Sequence, residues 1–315
     1  MTNTEAALIL LEPFGLSLIV LLLFWRPWRR GLEALAPGAL PLVLALAYPV
    51  GRRAVSKIPS FPPPTADEWL VFAAMALGAW GLLEALLPNI PRLLRLIGRF
   101  VLLATLFYLM GAAHLAPLTL VGLVVGVFVT ITLVDLISRG RPAPVILWTL
   151  TIAAAAASPI LLLGASFRLS LMAATLSTIA AAAAIITTSY KPNRPLHLGP
   201  FIFPFCALLA GLFLSGVRFA MTPLPSAISF AAILVLPLII PLGSPKATLP
   251  TLLQAFGRIT LTILLCAAAL GYTYYETRLR EPPQRERPQP TDNGDEGEDD
   301  ERHAPSWRDQ DPYTW

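Results

Sequence analysis

The sequence predicts an all-α integral membrane protein. Residues 1–276 would form a polytopic bundle of about ten transmembrane helices, and residues 277–315 a disordered acidic tail. Hydrophobic residues make up 56% of the chain and charged residues only 13%, whereas soluble domains carry about 25% charged residues. Apolar runs of about 20 residues, the helix length that crosses a bilayer, recur throughout the first part. The charge balance then changes sign in the tail.

The apolar runs give the order of the predicted spans. Within each run the apolar residues continue around the whole helix, as lipid-facing and buried positions both require. The second and ninth runs carry internal prolines, and the fourth is short. The predicted spans are 6–25, 33–50, 68–87, 96–113, 117–137, 144–165, 170–190, 198–217, 224–243 and 249–275.

Some of these elements carry local signals. The first run has no basic segment before it and is followed by RPWRR, which is typical of a first transmembrane helix and not of a cleaved signal peptide. Thr65, with Glu68 three residues later, predicts a capping box at the start of the third helix. The seventh run is rich in Ala, Ser and Thr and predicts a tightly packed central helix.

Charge separates the body from the tail and suggests an orientation. Residues 1–276 hold 17 Lys+Arg and 8 Asp+Glu, and residues 277–315 hold 6 and 11. The sequence pI of about 9.3 therefore describes neither part, and we infer no nucleic-acid binding from it. Basic residues favour the odd-numbered connections by 11 to 7. This bias predicts a plasma-membrane protein, in bacteria of the inner membrane, with both termini on the exoplasmic face.

Two ionisable residues lie deep within predicted spans. Glu12 precedes Pro13 in the first span, and Arg258 lies about a third of the way into the last. Because a charge at a helix centre is costly, such residues are candidates for ion or solute contact. Proline also frees a backbone carbonyl in the turn before it. We therefore expect Glu12 to face the bundle, either in a cation, proton or solute site, or as a buried carboxyl that is neutral or paired with Arg258 or another base.

Other charges lie nearer the predicted span ends. Arg92, Arg95 and Arg99 recur every three or four residues and share one helix face, which indicates either contact with anionic lipid headgroups or arginines reaching for the membrane surface. Asp135 can pair with Arg139 one turn later. The charges of this kind are expected to be interfacial: Glu84, Asp135, Arg168, Arg218 and Glu276.

No catalytic, metal-binding or cofactor-binding motif is present. Cys206 and Cys266 lie within apolar runs, as buried thiols do. There is no HExxH, Walker, GxSxG or GxGxxG pattern. The leading hypothesis is a transporter-like or channel-like bundle for a small solute. The alternative is a non-catalytic membrane subunit or scaffold that recruits a partner through its tail, and a membrane-embedded enzyme comes third.

The end of the tail differs from the segment before it. The Pro-rich and acidic stretch cannot bury enough apolar surface to fold, so it predicts an extended spacer. Three aromatic residues then return within the last nine positions: Trp307, Tyr313 and Trp315. Because aromatic side chains dominate binding hot spots, Trp307 to Trp315 predicts a docking peptide for a protein partner.

We expect the triple variant Trp307→Ala, Tyr313→Ala and Trp315→Ala to lose proteins that the wild-type tail captures in a pull-down. The three substitutions remove the large contact area and leave the acidic spacer unchanged. Recovery of the same proteins by both tails would show that the aromatic residues recruit nothing.

Overall fold

The computed structural model describes residues 3–25, 36–55, 61–63, 65–87, 89–110, 116–139, 141–164, 166–189, 197–219 and 251–280. Across these residues the protein is all-α, with nine helices and no strand. The helices are α1 (Asn3–Phe24), α2 (Ala36–Val55), α3 (Ala66–Leu86), α4 (Arg92–Leu109), α5 (Pro117–Ser138), α6 (Ala143–Leu163), α7 (Phe167–Ser189), α8 (Gly199–Phe219) and α9 (Thr251–Arg280).

Six of the described helices are long and apolar enough to cross a membrane. Their candidate spans are Glu68–Leu86, Pro117–Ser138, Ala143–Leu163, Phe167–Ser189, Gly199–Arg218 and Phe256–Leu279. Among the residues whose side chains are described, α1 contributes a shorter apolar stretch, Leu10–Phe24, and α2 and α4 are not among the six. The multi-pass, all-helical character is thus confirmed, and the count of ten spans is not. The predicted ninth span, 224–243, lies outside the described residues.

The best-buried part of the bundle is formed by α6, α7 and α8. Helix α6 packs along α7, α7 also contacts α1 and α2, and α8 contacts α3 and α5. Small residues allow these close approaches, because helices in a membrane associate through tight van der Waals contact. The predicted central packing of α7 is confirmed. Its buried small residues are Ser170, Ala173, Thr175, Ala180, Ala182, Ala183, Ala184 and Thr187.

Hydroxyl groups in this core donate hydrogen bonds to backbone carbonyls, either in their own helix or in the helix packed against it. Thr175 Oγ1 donates to the Leu171 carbonyl at 3.0 Å, one turn earlier in the same helix. Ser177 Oγ of α7 donates to the Thr151 carbonyl of α6 at 3.0 Å. The core of α6 and α7 therefore holds polar side chains whose hydrogen bonds stay within the helix pair.

Helix α3 begins at the expected place, although its cap differs from the prediction. Thr65 is the N-cap residue, with φ −122° and ψ 149°, but its side chain makes no capping hydrogen bond. The Glu68 backbone N–H donates to the Thr65 carbonyl at 3.1 Å. The Glu68 carboxylate instead lies 3.9 Å from the guanidinium of Arg52 in α2. The opposite charge thus draws Glu68 away from the capping-box role.

We expect Gly78→Ala to destabilise the bundle by about 1–3 kcal/mol, because overpacking forces helices apart. A Cβ at Gly78 would lie 2.6 Å from the Ala45 Cβ and 2.8 Å from the Pro41 carbonyl oxygen, where α3 crosses α2. The measurement is the thermal unfolding midpoint of purified protein in detergent.

The matched control is Gly122→Ala on α5. Nothing lies within 4 Å of a Cβ added there, so this variant should be neutral or gain up to about 1 kcal/mol from helix propensity. Equal losses in both variants would contradict the close approach of α2 and α3.

Candidate functional site

A buried ion pair joins the end of α3 to the first half of α4. Arg99 Nε donates to Glu84 Oε1 at 2.8 Å, and Arg99 Nη2 donates to Glu84 Oε2 at 2.6 Å. The side chains are 4% and 1% exposed, respectively. Two parallel charge-assisted hydrogen bonds are the strongest geometry available to such a pair. The pair therefore fixes α4 against α3 in a direction-specific way.

Asp135, near the end of α5, extends this pair into a cluster. Arg99 Nη1 donates to Asp135 Oδ2 at 3.0 Å, and Arg139 Nη2 donates to the same oxygen at 3.2 Å. The pairing of Asp135 with Arg139 was predicted from their spacing and is confirmed. We call the four residues Glu84, Arg99, Asp135 and Arg139 the ionic cluster. It joins three helices through side chains alone.

Neighbouring groups complete the surroundings of Arg99 and Glu84. Trp80 Nε1 donates to Glu84 Oε1 at 2.6 Å, which supplies a neutral donor to the carboxylate. The Trp80 ring occupies the space beside Gly98 where a Cβ would lie. From α8, the Phe203 ring centroid lies 5.2 Å from the Arg99 Cζ, within the range of a cation–π contact. Arg99 thus contacts groups from three other helices.

The second carboxylate oxygen of Asp135 is buried and has no hydrogen-bond partner among the described residues. It lies against the start of α8, since a Cβ added at Gly199 would be 2.6 Å from Asp135 Oδ1 and 3.1 Å from His197 Cε1. A buried acceptor without a donor costs about 1–3 kcal/mol. Asp135 Oδ1 is therefore the atom of the cluster best prepared to accept a new donor.

His197 lies at the exposed edge of the cluster. Its Nδ1 accepts the Gly199 backbone N–H at 3.3 Å, so the other ring nitrogen carries the proton of the neutral form. Partial desolvation lowers the pKa of His197, Asp135 raises it, and the nearby charges of Arg139, Arg95 and Arg99 lower it. The net lowering keeps His197 neutral at pH 7.

The structure corrects two expectations about charged residues near helix ends. Arg99 was expected to contact headgroups or reach the surface with Arg92 and Arg95, but it is 3% exposed and its charge is neutralised within the bundle. Arg92 is exposed, and Arg95 is partly buried with its Nε 4.0 Å from Glu84 Oε2. Glu84 and Asp135 are likewise buried and not interfacial, because Arg99 compensates their charges.

Glu12 does not face the bundle as expected. It is exposed on α1 together with Ile19, whereas Pro13, Ser17 and Leu21 form the buried side of that helix. No hydrogen bond or ion pair of Glu12 is present in the described part of the chain.

Arg258 lies near another arginine, Arg141. Partial burial lowers the pKa of Arg141, in the connection between α5 and α6, and the like charge of Arg258 lowers it further. The proposed pairing of Glu12 with Arg258 is absent from the described residues. The aromatic residues Trp307, Tyr313 and Trp315 lie outside them.

Sequence reasoning missed the cluster, although it named all four members. A usable signal was their position in the chain: Glu84 closes the third predicted span, Arg99 opens the fourth, and Asp135 closes the fifth. If successive helices cross the membrane in opposite directions, these three helix ends lie at the same face of the membrane. In the described residues no group of three His, Cys, Asp or Glu side chains could hold a metal ion.

Comparisons with known proteins add no family to these observations. No protein-family model, no curated protein and no solved structure matches the chain.

We expect Arg99→Met to lower the free energy of unfolding by about 3–5 kcal/mol, since it leaves two carboxylates buried without their main partner. The control is Arg53→Met, at an exposed arginine near the end of α2, which should change stability by less than about 0.5 kcal/mol. Chemical unfolding in detergent measures both. A loss for Arg99→Met no larger than that of the control would contradict the buried pairing.

Proposed function

We propose that the protein carries a small solute across a membrane and that the ionic cluster closes the pathway at one face. The observation that carries this proposal is the burial of Glu84, Arg99 and Asp135 at one end of apolar helices. Ionisable groups inside a membrane bundle are costly, and they commonly mark ion and solute pathways. Glu12 has no part in this proposal, because it is exposed on the outer side of α1.

A second ion pair at the other end of α3 supports the proposal. Glu68 and Glu84 are 16 positions apart on α3, which corresponds to roughly 24 Å along the helix. The hydrocarbon core of a bilayer is about 30 Å thick. Each end of the helix thus carries a carboxylate that meets an arginine from a neighbouring helix, Arg52 at one end and Arg99 at the other.

The two ion pairs differ in the distance between nitrogen and oxygen. The closest approach is 2.6 Å between Arg99 and Glu84, and 3.9 Å between Arg52 and Glu68. Transporters expose a site to one face at a time by moving one group of helices against another. In our proposal the tight pair is the closed gate and the looser pair the gate that opens first. Salt bridges suit this role because they have discrete made and broken states.

The unpartnered oxygen of Asp135 gives the proposed solute its chemistry. Asp135 Oδ1 would accept a hydrogen bond from an ammonium, amide or hydroxyl group as it passes the cluster. The proposal therefore favours a solute with a hydrogen-bond donor or a positive charge. At the exposed edge His197 is neutral, and Arg139 is the charged group that contacts Asp135 there.

The proposal also covers the number of membrane spans and their orientation. We infer ten spans, in which α1, α2, α4 and the segment 224–243 cross the membrane together with the six long apolar helices. The positive-inside bias of the sequence supports an orientation with the ionic cluster on the cytoplasmic side and both termini exoplasmic. The membrane is then the plasma membrane, or in bacteria the inner membrane.

We expect proteoliposomes containing the full chain to take up at least one member of a panel of labelled inorganic cations, amines and amino acids. Asp135→Asn should reduce that uptake about tenfold or more, because it removes the charge that attracts the donor. Arg53→Gln should transport normally, since the Arg53 side chain is exposed and is in neither ion pair. If no member of the panel enters faster than in protein-free liposomes, the transport proposal fails.

The close packing of α6, α7 and α8 favours a second candidate, a non-catalytic membrane subunit that recruits a protein partner through its tail. In that case the ionic cluster fixes helix packing and carries nothing. Its support is the close packing of the bundle core together with the aromatic end of the tail, and the tail pull-down described above tests it.

A further inference from the structure

Three arginines lie at the outer edge of the ionic cluster. Arg92 and Arg95 are in the first turn of α4, on the same side of the helix as Arg99, and Arg139 follows the last residue of α5. Arg92 is exposed, Arg95 is partly buried, and the Arg139 side chain is 47% exposed. We call Arg92, Arg95 and Arg139 the arginine rim.

The rim carries positive charge that the buried carboxylates do not neutralise. Arg95, Arg99 and Arg139 lie within 4.0 Å of the carboxylates of Glu84 and Asp135, and Arg92 precedes Arg95 by one turn of α4. Glu84 already accepts two hydrogen bonds from Arg99, and Arg139 shares a single Asp135 oxygen with Arg99. No ion pair of Arg92 is present in the described part of the chain. The excess charge thus lies outermost, where an anion can reach it.

The surfaces directly below the rim are apolar and exposed. On α4 the exposed apolar side chains come after Arg92 in the sequence, and on α5 they come before Arg139. Both series thus run from the same edge toward the membrane interior. Phe100 of α4 and Phe128 of α5 make an edge-on contact, with their ring centroids 5.4 Å apart. The exposed apolar side chains are Leu93, Leu96, Ile97 and Phe100 on α4 and Val129, Leu133 and Leu136 on α5.

We propose that the arginine rim binds the phosphate of an anionic phospholipid, whose acyl chains lie along the exposed faces of α4 and α5. The phosphate satisfies the excess charge, because guanidinium groups match phosphate oxygens in charge and geometry. From Arg92 to Phe100 the helix rises roughly 12 Å, and from Arg139 to Val129 roughly 15 Å, lengths that an acyl chain can cover. This continuous apolar surface selects a lipid over a free anion. The inference does not rest on the proposed transport.

The test uses the purified full chain in a neutral detergent, titrated with phosphatidylglycerol or phosphatidylcholine, with bound lipid counted by native mass spectrometry. We expect the wild type to retain phosphatidylglycerol about tenfold more strongly than phosphatidylcholine, because the arginines attract an anionic headgroup and gain nothing comparable from a zwitterionic one. Arg92→Gln should reduce this preference severalfold, and Arg92→Gln combined with Arg139→Gln should abolish it.

Arg53→Gln is the matched control, since Arg53 is an exposed arginine near the end of α2, at the opposite end of α3 from Glu84. It should keep the full preference. Glycerol 3-phosphate and inorganic phosphate form a second arm that separates the headgroup from the whole lipid, and neither should compete at concentrations equal to that of the lipid. If the double variant is poorly folded by circular dichroism, the single Arg92→Gln variant decides, because Arg92 makes no ion pair in the described structure.

Several results would overturn the proposal: equal retention of the two lipids by the wild type, an equal loss in Arg53→Gln, or displacement of the lipid by equimolar free phosphate. The first would mean that the rim does not select charge. The second would assign the preference to the overall charge of the protein. The third would show that the apolar faces of α4 and α5 contribute nothing.

Discussion

The meeting of α3, α4 and α5 at one end of the bundle depends on the need to compensate the charge of Arg99. An unpaired guanidinium in an apolar interior would cost several kcal/mol, so the helix bearing it can pack only where acceptors are at hand. Arg99 reaches them with three nitrogens, Nε and Nη2 toward Glu84 and Nη1 toward Asp135. A lysine has a single nitrogen and could not hold both carboxylates in the same planar geometry. The three helix ends are therefore positioned by the shape of one side chain.

Two glycines allow this arrangement, because each leaves space that a larger residue would take. Gly98 precedes Arg99 and lets the Trp80 ring lie directly against the backbone of α4, from where Trp80 also donates to Glu84. Gly199, the first residue of α8, lets Asp135 Oδ1 approach to within 2.6 Å of the position of a Cβ. Any side chain at Gly199 would push Asp135 away from Arg99. The ionic cluster thus requires close backbone approach as well as opposite charge.

The sequence predicts which segments are helices far better than it predicts what each helix faces. The sixth span was expected at 144–165 and α6 runs from Ala143 to Leu163, because hydropathy over 20 residues determines the existence of a span. Glu12 was assigned to the wrong side of α1, since that helix is apolar all round and its sequence holds no information about its orientation. Arg99 was assigned to the surface because its partners lie 15 and 36 positions away on other helices. Only the Asp135–Arg139 pair could be predicted from sequence spacing, because its members are one helical turn apart.

The arginine rim and the ionic cluster share Arg139, and this residue couples them. Asp135 Oδ2 accepts from both Arg99 and Arg139, at 3.0 and 3.2 Å. An anion that draws Arg139 outward would leave Arg99 as the only donor to that oxygen. The hydrogen bond from Arg99 would then strengthen, since an acceptor shared between two cations binds each less tightly than an acceptor with one. Occupancy of the rim would in this way tighten the connection between α4 and α5, so the lipid around the bundle and the ion pairs within it are linked through a single carboxylate oxygen.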